Sequence, residues 1–201
     1  MFKNKIKQKC LFIGSKRLGL NIFKSLVITN KEINWSVLHS DDRKDSRSML
    51  VEFEQYCNAE GIPFLFAGSP SHANEIMKSE DFSLAIVCGW YWLISGDLLQ
   101  SDRKTFYGIH NSLLPKYRGG APLVWAIINS EPILGSTLFK FNEAMDAGNI
   151  IEQVSYELKD DDTISDVINF LDDFWVKNIG KIFQDIINGK VIEKIQDDNS
   201  A

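Results

Sequence analysis

The first half of the chain alternates short apolar runs with amphipathic segments. Five runs rich in apolar residues predict buried strands, at Lys9–Ile13, Trp35–His39, Ile62–Phe66, Leu84–Cys88 and Phe106–His110. In the gaps between the first four runs, apolar residues recur at helical spacing, which predicts a helix in each gap. This β-α-β-α-β order implies a parallel sheet with helices on both faces. Such sheets bind ligands at the carboxyl ends of their strands.

The second half of the chain has a different pattern. Leu123–Ile128 predicts a short helix, and Ser136–Phe141 with Ile150–Tyr156 predicts a pair of strands joined by a loop. A long helical stripe then runs from Ile164 to Ile186, and Thr163 opens it with a capping box. We therefore predict an α/β fold: a Rossmann-like, mostly parallel sheet with helices on both faces, followed by a β hairpin and a long C-terminal helix.

Composition fits one globular domain. The chain has 201 residues, of which 44% are hydrophobic and 24% charged. We predict a single domain over 1–201, with 190–201 as a frayed polar tail. The net charge of -5 argues against a nucleic-acid partner, because phosphate binding needs a basic face. Cys10, Cys57 and Cys88 are widely spaced, so we predict reduced thiols and no metal site.

The lysine-rich start of the chain does not predict export. Four lysines precede an apolar run of only four residues, Cys10–Ile13, which ends at Gly14. That run is too short for a signal-peptide core or a membrane span. We therefore expect a cytoplasmic protein without membrane contact.

The segment most informative about function begins at the end of the fifth predicted strand. His110 lies within the glycine-bounded segment 108–120, and Asp146 follows it by 36 positions in Met-Asp-Ala-Gly. An imidazole titrates near neutrality, so it can donate to an oxyanion or accept a proton from an amine. A carboxylate nearby would orient the ring and favour its protonated form. The pair predicts acyl transfer to an amine.

Each of these residues also has a purely structural interpretation. A histidine after an apolar strand is often a satisfied structural residue, and Asp146 can be a turn residue before Ala147-Gly148. Arg118 can be a salt-bridge partner, and the aromatic run 90–92 can pack under a loop. The acidic run 160–162 fits a solvated helix start better than a metal site. The surrounding motif favours function for His110 and Asp146.

That motif resembles the formyltransferases that use 10-formyltetrahydrofolate. Their hallmark is Asn-x-His-x-Ser-Leu-Leu-Pro followed later by Asp-x-Gly, and this chain has His110, Ser112–Pro115 and Asp146–Gly148 in that order. Further matches are Tyr117–Gly119, Ala121–Pro122, Trp125–Ile127 and Gly135–Thr137. The segment 116–125 is most similar to the branch that formylates amino sugars on nucleotide carriers. The motif also resembles the catalytic domain of methionyl-tRNA formyltransferase, a branch that adds an RNA-binding domain, which we do not expect here.

The resemblance implies a reaction. N10-formyltetrahydrofolate is the expected cosubstrate, with no metal, and the expected acceptor is the primary amine of dTDP-4-amino-4,6-dideoxyglucose or a similar nucleotide sugar, for surface polysaccharide (O-antigen) synthesis. Glycinamide ribonucleotide formylation in purine synthesis, hydrolysis to formate, and non-catalytic folate or nucleotide binding stay open. We expect small-molecule partners and no nucleic acid, and we leave a homodimer open.

The resemblance also implies residue roles. His110, Asp146 and Asn111 are the expected catalytic residues. The pterin pocket is expected along Gly89, Trp90, Tyr91, Trp92, Leu93 and Ile94, with Asn142 closing its other side. The nucleotide sugar is expected to contact Ser15, Arg17, Tyr117 and Arg118.

Gly108 departs from the family pattern, which has an asparagine at that position. Residues two apart on a strand share a face, so the missing amide would have pointed the same way as His110. Losing one oxyanion donor typically costs about 10²–10³ in rate. We expect an ordered water, or the Asn111 amide after a backbone turn, to take its place.

Overall fold

The computed structural model describes residues 8–197 and divides the chain into two compact units, Met1–Thr105 and Phe106–Ala201. Lys3, Lys5 and Lys7 lie outside the described residues. Over the described range, the first unit contains a parallel sheet of four strands, and the second contains three strands that pair antiparallel. The predicted α/β class is therefore confirmed, while the single domain over 1–201 stays a prediction.

The first unit alternates strands and helices as the apolar runs predict. Its elements are β1 Lys9–Gly14, α1 Lys16–Thr29, β2 Asn34–Ser40, α2 Leu50–Glu60, β3 Phe64–Ala67, α3 Pro70–Ser79, β4 Leu84–Cys88 and α4 Gly96–Leu99. β1 pairs in parallel with β2 and β4, and β2 pairs in parallel with β3. All five residues of β4 are buried, as expected for a parallel strand covered on two faces.

The second unit contains the predicted hairpin and long helix. Its elements are β5 Thr105–His110, α5 Pro122–Ile128, β6 Ile133–Lys140, β7 Ile150–Glu157 and α6 Ile164–Ile187. β6 pairs antiparallel with both β5 and β7. The capping box of Thr163 and Asp166 is present at the start of α6, and α6 buries a stripe that includes Trp175. The predicted hairpin and C-terminal helix are confirmed.

The segment 190–197 differs from the predicted frayed tail. The backbone of Lys194 exchanges two hydrogen bonds with Ile150, at 2.8 and 2.9 Å. Gln196 is buried and its amide is hydrogen-bonded. A polar sequence without periodicity gave no sign of this anchoring, because the partners lie far away along the chain. Residues 198–201 lie outside the described residues.

The three cysteines are free and buried. Burial raises the pKa of Cys10 and of Cys57 to about 12, so neither thiol ionises near neutral pH. The prediction of reduced, buried thiols is confirmed. Within residues 8–197, none of the helices combines the length and the apolarity needed to cross a bilayer.

Candidate active site

The carboxyl end of β5 and the loop after β6 bring an imidazole and a carboxylate together. His110 is the last residue of β5, and Asp146 lies in the loop 141–149 between β6 and β7. His110 Nδ1 lies 3.6 Å from Asp146 Oδ2, and the two side chains are 11% and 22% exposed. This is an ion-pair distance, longer than a direct hydrogen bond. The structure therefore joins the two residues that the sequence motif singles out.

The other ring nitrogen of His110 faces a backbone carbonyl. Nε2 lies 2.8 Å from Tyr117 O. A carbonyl oxygen only accepts, so Nε2 carries the hydrogen in this contact. Because Nδ1 faces the Asp146 carboxylate, both ring nitrogens point at acceptors. This arrangement suits the imidazolium form, which has two N–H donors and no free lone pair.

The turns that contact His110 and Asp146 have unusual backbone angles. Tyr117 has φ 58° and Asp146 has φ 50°, in the left-handed region that costs a non-glycine residue about 1–2 kcal/mol. Gly119, with φ 93°, donates its N–H to Asp146 Oδ2 at 2.8 Å. Such strain persists only where surrounding contacts support it. The turn 117–119 thus supplies a carbonyl to the ring and an N–H to the carboxylate.

Asn111 follows His110 where strand pairing ends. Its Oδ1 lies 3.0 Å from the Ser136 hydroxyl, which also lies 3.1 Å from His110 O. Trp175 Nε1 donates to the same hydroxyl oxygen at 2.9 Å, so helix α6 supports the end of β5. Sequence reasoning missed Ser136 and Trp175 as supports of this site. Ser136 lay inside the motif block, but Trp175 looked like an ordinary core residue.

Two further side chains shape the loop after His110. Thr137 Oγ1 donates to Ser112 O at 2.6 Å and accepts from the Leu114 N–H at 3.2 Å. Gln153 Nε2 donates to Thr137 Oγ1 and to Leu114 O, both at 3.0 Å. These bonds fix the Ser-Leu-Leu-Pro segment against β6 and β7.

An aromatic ring stands where a side chain at position 108 would be. A Cβ added to Gly108 would lie 2.3 and 2.5 Å from two carbons of the Phe141 ring. That ring stacks on Phe139 at 4.9 Å, and Phe139 meets the His110 ring edge-on at 6.5 Å. Glycine at 108 and phenylalanine at 141 are therefore sterically linked. Whether water or Asn111 replaces the family amide stays a prediction.

The segment expected to line the pterin pocket belongs to the first unit. Trp92 makes edge-on contacts with Trp90 and Tyr91, at 5.2 and 6.0 Å between ring centroids. Tyr91 and Leu93 are exposed, at 56% and 76%, whereas Ile94 is buried. Trp90 Nε1 is a buried donor without a hydrogen-bond partner among the described residues. The exposed side chains of Tyr91 and Leu93 offer apolar surface on which a heteroaromatic ligand could pack.

The loop after β1 is closed by its own contacts. Gly89 has φ 70°, and a Cβ there would lie 2.4 Å from Ser15 O. Ser15 is fully buried, and its hydroxyl donates to Gly89 O at 2.6 Å. Arg17 is exposed on α1. Of the two expected substrate contacts here, only Arg17 is accessible in this structure.

Lys16 is held by two carboxylates. Its Nζ lies 2.6 Å from Asp42 and 3.0 Å from Asp45. Burial acts to lower the pKa of Lys16, but the hydrogen bonds that its ammonium donates to Asp42 and Asp45 outweigh this effect, and the pKa is raised. The lysine is thus charged, with its charge already compensated inside the protein.

Tyr117 and Arg118 are both engaged through their side chains. Tyr117 OH donates to Glu131 at 2.9 Å, and Lys116 contacts the same carboxylate at 3.1 Å. These two contacts lower the pKa of Glu131. Arg118 donates from Nε and Nη2 to Gln196 Oε1, at 3.0 and 2.7 Å.

Two other expectations concern Asn142 and metals. Asn142 is exposed, and its Oδ1 accepts from the Ala144 N–H at 3.1 Å. Within the described part of the chain, 8–197, no group of three or more His, Cys, Asp or Glu side chains is placed to hold a metal ion.

Comparison with known proteins agrees with the family resemblance of the sequence motif. The profile of the Formyl transferase family matches residues 19–179, which is most of the chain. The chain belongs to the formyl transferase family. It is 34% identical over 197 residues to the methionyl-tRNA formyltransferase of Halalkalibacterium halodurans, a match covering 96% of this chain and 62% of that protein. The chain spans 50–62% of the length of three curated relatives that it matches.

Solved structures share the fold. An N-formyltransferase from Helicobacter canadensis, in complex with folinic acid and dTDP-3-aminofucose, is similar with a TM-score of 0.74 at 21% identity, covering 96% of this chain and 69% of that one. Glycinamide ribonucleotide transformylase 1 from Symbiobacterium toebii is similar with a TM-score of 0.75 at 18% identity, covering 98% of each chain. The fold therefore extends across enzymes with different amine substrates.

Proposed function

We propose that this protein transfers a formyl group from N10-formyltetrahydrofolate to the primary amine of a nucleotide-linked amino sugar. The observation that carries the proposal is the contact of His110 with Asp146 at 3.6 Å, at the carboxyl end of a strand in a formyl transferase fold. A positioned imidazole and a carboxylate are the groups that amine acylation needs.

His110 is the proposed donor to the formyl oxygen. As the amine nitrogen bonds to the formyl carbon, negative charge grows on that oxygen, and an imidazolium N–H stabilises it. In this structure Nε2–H of His110 donates to the Tyr117 carbonyl. In the proposed reaction the formyl oxygen takes the place of that carbonyl as the acceptor. Asp146 stabilises the cationic ring through Nδ1. The bound folate supplies the formyl group on N10, and the bond to N10 breaks.

Proton balance gives Asp146 a second role. The attacking amine must lose one proton, and N10 of the departing folate must gain one. The Asp146 carboxylate can accept from the amine directly or through a water, because a carboxylate has about four lone-pair positions and the Gly119 N–H and His110 Nδ1 both lie at Oδ2. His110 and Asp146 together can therefore return a proton to N10.

The segment 89–94 is the proposed folate contact. Its exposed Tyr91 and Leu93 offer apolar area for that ligand. The Helicobacter canadensis neighbour was solved with folinic acid, a related folate. Asn142 is proposed to contact the same ligand.

A nucleotide sugar is the first proposed acceptor. The segment 116–125 resembles the sugar-formylating branch, and the Helicobacter canadensis neighbour was solved with dTDP-3-aminofucose. We propose dTDP-4-amino-4,6-dideoxyglucose, used for surface polysaccharide, with Arg17, Arg118 and Tyr117 as the candidate contacts. The net charge of -5 favours this acceptor over a polyanionic RNA. The cytoplasm, where folate and nucleotide sugars are present, is the proposed location.

Methionyl-tRNA is a second candidate acceptor, because a curated relative at 34% identity carries that activity in its name. A cavity of about 340 Å³ beside Asn111 adds a structural reason. Leu113, Leu123 and Ile133 are among its lining residues, so its surface suits an apolar side chain such as that of methionine.

The test is an acceptor panel with N10-formyltetrahydrofolate. The purified chain would be incubated separately with dTDP-4-amino-4,6-dideoxyglucose, glycinamide ribonucleotide and methionyl-tRNA, and each formylated product measured by mass spectrometry. The proposal predicts fastest product formation with the nucleotide sugar, and loss of that product in His110→Asn. Formyl-methionyl-tRNA or formylglycinamide ribonucleotide as the main product would reassign the acceptor. Formate release without any amine would indicate a hydrolase.

A further inference from the structure

We infer that Gln196 is a positioning residue for the His110–Asp146 pair, because it joins the two turns that hold those side chains. Its catalytic consequence rests on the proposed function, whereas its effect on the geometry of the His110 ring does not. Sequence periodicity gives no hint of this role, since Gln196 lies 50 residues after Asp146 and 78 after Arg118.

The carboxamide of Gln196 has all its strong hydrogen-bonding positions filled. Gln196 is 7% exposed. Its Oε1 accepts from Arg118 Nε at 3.0 Å and from Arg118 Nη2 at 2.7 Å. Its Nε2 donates to Asp146 O at 2.9 Å and to Gly148 O at 2.7 Å. These four hydrogen bonds to three residues fill both lone pairs of the carbonyl oxygen and both N–H groups of the amide nitrogen.

The three partners of Gln196, which are Arg118, Asp146 and Gly148, belong to the two turns that contact or carry the catalytic side chains. Arg118 lies between Tyr117, whose carbonyl faces His110 Nε2, and Gly119, whose N–H donates to Asp146 Oδ2. Asp146 itself supplies a carbonyl to Gln196 through its backbone. One side chain therefore links the turn that holds the imidazole to the turn that carries the carboxylate.

Both linked turns need support from outside. Tyr117 and Asp146 have left-handed backbone angles, which isolated residues of these types avoid. Gly148 packs so closely on Lys140 that a Cβ would overlap the Lys140 carbonyl. Since Gly148 O is one of the acceptors of Gln196, the glutamine also holds the turn that carries Asp146.

The segment around Gln196 is itself fixed to β7. Lys194 pairs with Ile150 through two backbone hydrogen bonds. Glu193 accepts from Asn149 Nδ2 at 2.7 Å and contacts Lys140 Nζ at 3.4 Å. This places Gln196 beside the loop 141–149 without dependence on its own side-chain bonds. A change of the side chain alone should therefore leave the segment in place.

The chemistry of the side chain is specific. Only a carboxamide offers an acceptor to Arg118 and two N–H groups to the carbonyls. Gln196→Glu keeps the acceptor for Arg118 but points a carboxylate at the Asp146 and Gly148 carbonyls. Gln196→Met keeps the length of the side chain and removes all four bonds. The two variants therefore separate the link to Arg118 from the link to Asp146.

The experiment compares Gln196→Met and Gln196→Glu with a surface control, Gln55→Met, whose side chain is exposed on α2. We expect both Gln196 variants to lower kcat for formyl transfer by about 10- to 100-fold while KM for N10-formyltetrahydrofolate changes less than about threefold, because misplaced catalytic groups cost rate at this scale. The control should keep the wild-type kcat. Thermal melting confirms that each variant is folded.

A second measurement is independent of turnover. Nitrogen-15 NMR of the His110 ring, identified with His110→Asn, reports the Nε2 hydrogen bond to Tyr117 O and the pH at which the ring titrates. We expect both to change in Gln196→Met and Gln196→Glu and to stay unchanged in Gln55→Met. An unchanged ring spectrum with kcat within twofold of wild type overturns the inference. If the wild type formylates no amine, the proposed function fails and the ring spectrum alone decides. If Gln196→Met does not fold, Gln196→Glu decides.

Discussion

Lys16 in the first unit and His110 in the second occupy similar positions and have different surroundings. Each lies at or just past the carboxyl end of a strand, and each has a left-handed non-glycine residue in the adjoining turn, Lys16 itself and Tyr117. Lys16 is bound by two carboxylates, of which Asp42 is completely buried. His110 has one carboxylate at 3.6 Å and a backbone carbonyl, and it keeps some exposure.

The comparison distinguishes a charged side chain that stabilises the fold, Lys16, from one that is proposed to act in catalysis, His110. Position at a strand end does not make a group catalytic, because Lys16 has its charge compensated where it stands. The pair at His110 is oriented by backbone groups of the turn 117–119, and its single carboxylate lies at 3.6 Å, beyond direct hydrogen-bond distance. We therefore expect changes at Lys16 to affect stability and changes at His110 to affect rate.

The largest effect should come from His110→Asn. Loss of a positioned acid and base typically costs about 10²–10⁴ in rate, and asparagine keeps a donor while it removes the titrating ring. Formylated product, measured by mass spectrometry over time, should fall by about this factor, with little change in melting temperature. Full retention of rate would remove the enzymatic account of this site.

The second-largest effect is expected for Asp146→Asn, and Asp42→Asn in the first unit is its matched comparison. Asp146→Asn should lower kcat by about 10²-fold, because the imidazolium loses its counter-charge. Asp42→Asn should leave kcat unchanged and lower the free energy of unfolding by about 1.5–3 kcal/mol, since Asp42 accepts charged hydrogen bonds inside the fold. Enzyme assays and urea denaturation of both variants give the answer. If Asp42→Asn abolished activity with normal stability, the contrast between the two regions would be wrong.

Gly108→Asn tests the aromatic neighbour of His110. Its Cβ would overlap the Phe141 ring, so we expect a loss of about 1–3 kcal/mol in stability from overpacking. The double variant Gly108→Asn with Phe141→Ala should recover part of that loss and let the amide lie beside His110. Urea midpoints and kcat of the three proteins are compared. Equal stability of the single variant and wild type would show that the ring moves aside freely.

The smallest effect is the pH dependence of the Lys16 contacts. The pKa of Lys16 is raised in the folded state, so its stabilisation is complete below the unfolded lysine pKa of about 10.4 and is lost as pH rises through the folded pKa. Urea midpoints between about pH 9 and 11.5 should fall more for wild type than for Asp42→Asn. Parallel curves for the two proteins would exclude this contribution.

Local pattern was sufficient for most of the fold. Continuous apolar runs predicted β1 and β4, helical spacing predicted α1, and the capping box placed the start of α6. These features depend on neighbours within a few residues, which a single sequence displays directly. The hairpin of β6 and β7 was predicted for the same reason.

The sequence predicted the catalytic pair of the candidate site but not the residues that position it. His110 and Asp146 came from a motif, but the residues that position them came from tertiary pairing. Gln196 falls in the segment that the sequence predicts to be a frayed tail, and nothing in the sequence indicates that Phe141 covers Gly108. Hydrogen bonds over 50 to 78 residues leave no periodic trace in one sequence.

The most direct measurement is a double-mutant cycle on His110→Asn and Asp146→Asn, with kcat/KM for formyl transfer as the readout. Groups that act as one unit are strongly non-additive, so the double variant should be only slightly slower than His110→Asn alone. If the two losses instead multiplied, the imidazole and the carboxylate would act independently, and the account of a joined pair would be contradicted.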